Sequence, residues 1–516
     1  MLKIRKILRN INALFFSVYV RISSKYFLIK ELLMEFEELK QKYEMVIGLE
    51  VHAQLKTKTK IFAPDGAEFG HEPNSQTSPI TLGMPGVLPV LNKAVVDMAI
   101  LTGLALNCEI PSRCKFDRKQ YFYPDLPKGY QISQYDEPIC GKGSIKISNK
   151  TIGITRAHLE EDAGKLVHAG SAGIYGSSYS LVDLNRAGTP LLEIVSEPDM
   201  RTSDEAREYM EELRNILRYI GVCDGNLEEG SMRCDANISI RPKGQKEFGT
   251  RAEIKNVNSF KALQRAIEYE FERQIELVED GKEVVQETRL WDDAKGITSS
   301  MRGKEDAHDY RYFPEPDLMP LEISREWVDR VKATMPELPA QKLKRYVDLG
   351  LSEYDAQVLV NQLEMALFFD KAVAQNVNPK TASNFIMGEI AAYLKEEKVS
   401  IEESKLSVEN FVKLLKLLEK GTISNNIAKS LVIDILKTGE DADKLVEKKG
   451  LSVLSNPDEI LPLVQKVVAD NPEQVAAYKG GRDKLFGFFV GQVMKETKGR
   501  ANPQLLNELL KKELEK

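Results

Sequence analysis

The sequence predicts an α+β protein in which a domain centred on an antiparallel sheet is followed by an all-helical domain and a small helical tail. Three observations carry this expectation. With 516 residues, 42% of them hydrophobic and 29% charged, the chain is too long for one core and divides into about three domains. From about residue 44 to residue 317, period-two alternation of apolar and polar residues mixes with amphipathic helical spacing. Beyond Pro320 the spacing is almost wholly helical. The boundaries read from these shifts are 1–33, 34–322, 323–402 and 403–516.

The first segment is a basic leader. Lys3, Arg5, Lys6, Arg9, Arg21, Lys25 and Lys30 alternate with apolar residues, and no acid precedes Glu31. That composition resembles a mitochondrial transit peptide, which would put the protein in the mitochondrial matrix. Met34, however, opens an acidic stretch with Glu35, Glu37 and Glu38, so the expectation is an upstream extension of the reading frame and a cytoplasmic protein. The apolar run from Ile11 to Val20 is interrupted by Asn12 and Ser17 and is too short to cross a bilayer; no membrane anchor is expected. The five cysteines contain no C-x-x-C pair, which argues against a disulfide framework and a structural zinc site. A formal net charge of −6 excludes a wholesale nucleic-acid coat but not local basic patches.

Within 34–322 the chemistry sits on strands. In Gly48-Leu49-Glu50-Val51-His52-Ala53-Gln54-Leu55, alternation sends the apolar residues to a core and points Glu50, His52 and Gln54 the other way. Such a face is either the solvated side of an edge strand or a pair of metal ligands. Ser231 to Ile240 repeats the pattern with Arg233, Asp235 and Asn237, and Thr250 to Asn256 does so with Arg251, Glu253 and Lys255. Glu193 stands alone in the aliphatic run Thr189 to Val195. Burying it unpaired would cost several kcal/mol, so it meets either a metal or an arginine. In His158 to Lys165, His158, Glu160 and Asp162 share one face and Glu161 takes the other; alternation does not choose which carboxylate joins a site. Carboxylates gathered from separate strands need a positive charge between them, and hard oxygen donors with a single imidazole suit magnesium or manganese.

The commonest nucleotide and hydrolase motifs are missing. No Gly-Lys pair is followed by Ser or Thr, and there is no G-x-S-x-G, which removes Walker-type ATPases and α/β-hydrolases. What remains is a metal-bridged phosphate site on a sheet, assisted by a cation such as Lys255 or Lys119.

Helices follow in order. Thr202-Ser203-Asp204-Glu205 is a capping box that opens an amphipathic run ending at Gly221. A second helix starts after Asn258-Ser259 and runs to Gly281, with Phe260, Leu263, Ala266, Ile267 and Phe271 as its stripe. Two segments, Phe116 to Asp125 and Asp309 to Asp317, mix aromatics with Arg and Pro; they are loop plugs or surfaces on which a base or ribose stacks. Glu337-Leu338-Pro339 starts the helical block, residues 351 to 393 keep helical spacing, and Val408 to Glu419 is a further helix. In the tail, Lys479, Arg482, Lys484, Lys495, Lys498 and Arg500 surround the apolar run Leu485 to Val490. That patch is a solvated face or an RNA backbone contact.

Gly48-Leu49-Glu50-Val51-His52, Phe116-Asp117-Arg118-Lys119, Tyr121-Phe122-Tyr123-Pro124-Asp125, Glu160-Glu161-Asp162-Ala163-Gly164-Lys165, Asp183-Leu184-Asn185-Arg186 and Asp309 to Asp317 resemble the signatures of the GatB family, the B subunits of aspartyl/glutamyl-tRNA(Asn/Gln) amidotransferases. The resemblance runs in order from about Glu44 to the C-terminus. It implies a cradle-shaped, kinase-like catalytic domain at 34–322. There ATP and Mg²⁺ phosphorylate the side-chain carboxylate of Asp-tRNA(Asn) or Glu-tRNA(Gln), which ammonia then converts to the amide. It also implies a heterotrimer with a separate amidase subunit that makes the ammonia from glutamine and a small third subunit that braces the pair. Carried onto this sequence, Glu50, His52, Glu161 and Glu193 are the implied metal ligands. Asp235 and Glu253 are further catalytic carboxylates lining the pocket; Lys255, read from its strand as a phosphate-assisting cation, is the expected nucleotide contact. Some relatives add a zinc site of paired cysteines; Cys108, Cys114 and Cys140 are too sparse for one, so no zinc is expected. The tail resembles free-standing YqeY-like proteins, through Val490-Gly491-Gln492-Val493-Met494-Lys495 and Ala501-Asn502-Pro503-Gln504. It implies tRNA contact by Lys484, Lys495, Lys498 and Arg500. A solitary metallohydrolase is disfavoured, because one imidazole among carboxylates is a thin basis for water activation and leaves the basic tail unexplained.

Overall fold

The computed structural model describes residues 37–169, 178–301, 310–454, 456–497 and 499–516; the basic leader, Asp309 and Lys498 lie outside them. The chain divides into two units, the first reaching Leu338 and the second running from Pro339 to Lys516.

The first unit is built on an eight-stranded sheet. Its strands are β1 (Tyr43–Gln54), β2 (Gly143–Lys146), β3 (Thr151–Glu161), β4 (Pro190–Ser196), β5 (Met232–Pro242), β6 (Ala252–Val257), β7 (Glu287–Asp292) and β8 (Ile297–Ser300), in the order β8-β7-β6-β5-β1-β4-β3-β2. The neighbours are antiparallel except β6 and β7, which run parallel. A parallel pair needs a crossover, and the helix Phe260–Glu279, between β6 and β7 in the chain, supplies it.

Alternation decides which face of the sheet is covered. Ile47, Leu49, Val51 and Ala53 of β1 are essentially inaccessible. They share one core with Val95, Val96 and Ala99 of α1 (Lys93–Ala105), with Ala206, Tyr209 and Leu213 of α2 (Ser203–Tyr219), and with Leu263, Ala266 and Ile267 of α3 (Phe260–Glu279). Each fully buried aliphatic side chain contributes about 1.5–3 kcal/mol, so the register is fixed and the alternate residues of β1 must face the other way.

The helix boundaries follow their caps. Thr202 accepts from the Glu205 amide at the start of α2, and Gly221 follows its end in the left-handed region at φ +73°. Ser259 accepts from the Ala262 amide at the start of α3.

The helical block expected at Glu337-Leu338-Pro339 opens the second unit with the helix Pro339–Asp348, whereas the first part of the domain expected at 323–402 packs with the first unit. Val328 and Val331 of α4 (Arg325–Lys332) belong to the sheet core, and the Trp327 indole donates to Asp97 of α1. Buried contacts, rather than the change of secondary structure, place the division at Leu338.

In the second unit the described regular elements are helices, from Pro339–Asp348 to Pro503–Glu515. The expected helix Val408–Glu419 forms with those bounds. The run 485–490 is divided between a 3₁₀ turn, Asp483–Leu485, and the helix Phe486–Glu496. Ile460, Val464, Phe489, Val493, Leu506 and Leu510 form a separate core near the C-terminus. No helix among the described residues is long and apolar enough to cross a membrane.

Candidate metal and phosphate site

The polar face of the sheet carries one row of side chains across four strands. Arg233 of β5 is paired with His52 of β1, His52 with Glu193 of β4, and Glu193 with His158 of β3. Glu160, two residues beyond His158, projects from the same face. The interactions this produces are short. His52 Nε2 lies 3.4 Å from Glu193 Oε2 and 3.8 Å from Glu160 Oε1, and His158 Nε2 lies 3.5 and 3.8 Å from the same two carboxylates. One donor atom from each of His52, Glu160 and Glu193 falls within 4.8 Å of the other two, the only such group of three among the described residues.

The two imidazoles differ in role. Arg156 Nε donates to His158 Nδ1 at 3.4 Å, so the hydrogen-bond network assigns the ring proton of His158 to Nε2, facing the carboxylates. His158 therefore turns its Nε2 proton toward Glu160 and Glu193, and the Ser133 hydroxyl donates to Glu160 Oε2 at 3.3 Å. His52 Nε2 is the other imidazole nitrogen facing the two carboxylates. Burial opposes ionisation of Glu193, but His158, His52 and Lys119 outweigh it and hold the carboxyl well below the ordinary range. Glu160 is likewise lowered against its burial, by His158, Lys119 and His52. Two ionised carboxylates with one imidazole are a donor set that fits Mg²⁺ or Mn²⁺.

A second polar group adjoins this one. Lys255 Nζ lies 2.7 Å from Asp235 Oδ2 and 2.9 Å from Glu253 Oε1, and Asn237 Nδ2 donates to Glu50 Oε1 at 2.8 Å. The pairing of β5 with β6 shifts register beside Asp235, a bulge of the kind that re-aims side chains. Burial, and then the charges of Glu193, Glu253 and Asp235, raise the Glu50 carboxyl above its ordinary value. Glu50 thus lies between the two groups and outside the His52, Glu160 and Glu193 cluster.

Glu161 is placed elsewhere. Its carboxylate meets the Lys128 ammonium and accepts from the Ile132 amide at 2.8 Å. On that side it lines a cavity of about 160 Å³ with Lys60, Thr81, Arg118, Lys128 and Gly188. Of the four ligands implied by the family resemblance, the structure brings together His52 and Glu193 and sets Glu160 beside them, with Glu161 on the opposite face.

The two aromatic segments pair with each other. Phe313 is opposite Arg118 in a short antiparallel ladder, and Arg118 grips Glu315 through Nε at 2.7 Å and Nη2 at 2.9 Å. Tyr135 and Tyr312 stack with centroids 4.3 Å apart. Lys119 projects its ammonium over Tyr310, 5.0 Å from the ring centroid. Although burial opposes its charge, Glu160 and Glu193 raise it above the ordinary lysine value.

Sequence alone gave no site role to two members of the row, His158 and Arg233. The signal was present, since both stand at polar positions of alternating strands, but alternation carries no information about which strands become neighbours. In the second unit, Lys484 and Lys495 are exposed, whereas Arg500 donates to Gly450 O at 2.9 Å and Thr497 O at 3.2 Å. Lys498 lies outside the described residues.

The GatB/GatE catalytic domain family matches residues 45–329, which contain every member of the two polar groups, and the GatB domain family matches 367–514. The chain belongs to the GatB family. Among curated relatives, the B subunit of the aspartyl/glutamyl-tRNA(Asn/Gln) amidotransferase of Trichodesmium erythraeum (strain IMS101) is 56% identical over 92% of this chain and 99% of its own. The protein of the same name from Carboxydothermus hydrogenoformans is 54% identical over 92% of this chain and 100% of its own. One from Synechococcus sp. (strain JA-3-3Ab) is 55% identical over 92% and 98%. Both GatB regions are thus present in order on one chain.

Proposed function

We propose that this chain is the carboxylate-activating, tRNA-binding subunit of a glutamine-dependent aspartyl/glutamyl-tRNA amidotransferase, and that activation takes place on the polar face of the sheet. The His52, Glu160 and Glu193 cluster carries this reading: two buried carboxylates and an imidazole bring one donor atom each within 4.8 Å of one another, which suits a hard divalent cation. Mg²⁺ bound there would neutralise phosphate oxygens of ATP.

The residues then divide the work. The side-chain carboxylate of the esterified Asp or Glu is the nucleophile, and being already ionised it needs no general base. Lys255, held by Asp235 and Glu253, and Lys119, near Glu160 and Glu193, are two cations available to phosphate. Partner subunits, an amidase and a small third chain, supply ammonia to the activated carboxyl, and the basic tail, with exposed Lys484 and Lys495, holds the tRNA backbone. A cytoplasmic location accords with this chemistry. The test is transamidation of misacylated tRNA by the assembled complex: His52→Ala and Glu193→Gln are expected to abolish it while the partner keeps glutaminase activity. Undiminished transamidation in both variants would overturn the reading.

A further inference from the structure

Arg233 has an unusual donor arrangement for a side chain in the middle of a sheet. It stands in the same row as His52, on the side away from Glu193. Its Nη2 donates to Asp162 Oδ2 at 2.8 Å, and that carboxylate is further held by Gln54 Nε2 at 2.8 Å and by the Ala163 amide at 2.9 Å. Arg233 Nε, in contrast, is buried and has no acceptor among the described residues. A guanidinium is planar, so anchoring one edge on Asp162 fixes where the remaining N–H groups point. The side chain nevertheless keeps 35% of its surface accessible on the polar face, so the N–H groups not held by Asp162 are open to a ligand while Nε is covered. Burial opposes the charge of the group, but Asp162, with Glu160 and Asp235 on either side, more than offsets it.

We propose that Arg233 is a catalytic residue whose guanidinium N–H groups turned away from Asp162 donate to a non-bridging oxygen of the phosphoryl group in transfer. This rests on the phosphoryl-transfer reading above. In that step a carboxylate oxygen of the aminoacyl ester attacks the γ-phosphorus of ATP. The O–P bond forms as the bond to the β,γ-bridging oxygen breaks, ADP leaves with that electron pair, and no proton moves. Ammonia then attacks the side-chain carbonyl carbon, the C–N bond forms, the C–O bond to phosphate breaks, and the proton given up by nitrogen is taken by the departing phosphate. The same phosphoryl oxygens are present in both steps, so one fixed donor serves both. Asp162 is the anchor that aims it.

The experiment is a titration of the assembled complex with Mg·ADP, with and without aluminium fluoride as mimic of the transferring phosphoryl, in the presence of misacylated tRNA. Wild type is expected to bind the fluoride complex more tightly than Mg·ADP alone. Arg233→Lys keeps a cation within reach of Asp162 but lacks the planar fork. It is expected to lose that preference tenfold or more, while Mg·ADP affinity stays within twofold and thermal stability is unchanged. An Arg233→Lys protein that keeps the preference, or loses affinity for both ligands equally, overturns the proposal. Wild type without any preference would instead overturn the phosphoryl-transfer reading. If the lysine variant folds poorly, Arg233→Ala supplemented with guanidinium ion decides: recovery of amidation supports the role, and no recovery at saturating guanidinium refutes it.

Discussion

Glu160 and Glu161 are neighbours on β3 with opposite environments: the Glu160 carboxylate lies 3.8 Å from His52 Nε2, whereas Glu161 accepts from the Ile132 amide on the far side of the strand. Substitutions at the two positions should therefore separate. Glu160→Ala is expected to raise the Mg²⁺ concentration needed for half-maximal ATP-dependent activity by about tenfold or more, equivalent to about 1.4 kcal/mol of lost coordination. Glu161→Ala is expected to leave that requirement unchanged and instead lower stability by about 3 kcal/mol, because the Lys128 ammonium loses its partner. A Mg²⁺ titration and urea unfolding of each variant measure the two effects. A shifted Mg²⁺ requirement in Glu161→Ala alone would reverse the assignment.

Gly143 opens β2 against the turn after α1. A Cβ there would overlap Cys108 Sγ and lie 2.7 Å from Leu106 O, and backbone cannot step aside as a flexible side chain can. Gly143→Ala should therefore destabilise the protein by about 1–3 kcal/mol. Gly281→Ala is the contrast: its Cβ would meet nothing, and only its φ of +73° opposes the change, at about 1 kcal/mol. Comparison of unfolding midpoints tests the difference.

Glu205 gives a pH dependence. Its carboxylate meets Lys150 Nζ at 2.6 Å, the Arg201 amide at 2.7 Å and Asn149 Nδ2 at 3.0 Å. Burial acts to raise it, but these partners outweigh the burial and lower it. A carboxyl lowered on folding contributes stability that is fully present above its unfolded value of about 4.3 and is lost as pH falls through the lower folded value. Glu205→Gln should therefore be less stable than wild type near neutrality by about 1–2 kcal/mol and should approach it in acid. Urea midpoints at about pH 7 and about pH 3 are the measurement; a constant gap would refute the linkage.

For the tail, phosphate contacts by Lys484 and Lys495 predict a salt effect. Replacing both by Gln should weaken tRNA binding and reduce the slope of log affinity against log salt by about 1.5. Amidation at saturating tRNA should keep its rate. An unchanged slope would leave both lysines as ordinary solvated surface.

Much of the site was legible because strands have a strict period of two. Alternation in Gly48 to Leu55 and in Ser231 to Ile240 correctly separated Glu50, His52 and Asp235 from the core residues between them, and helix caps at Thr202 and Ser259 marked α2 and α3. The choice between Glu160 and Glu161 was different. Both carboxylates are equally conspicuous, and the family pattern pointed to Glu161, but only the pairing of β3 with β4 shows that Glu160 shares a face with Glu193. The place of α4 is a related case: it looks helical in sequence wherever it packs, and only the burial of Val328 and Val331 assigns it to the sheet core.

By itself, the sequence determined the local features: which residues alternate, where helices begin, and which family's motifs occur in order. Tertiary structure decided which strands are neighbours. Because β1 lies between β5 and β4, Arg233, His52, Glu193 and His158, drawn from four distant segments, form one row. That adjacency is set by the burial of the apolar face, since the opposite face gathers like charges and would not assemble without it.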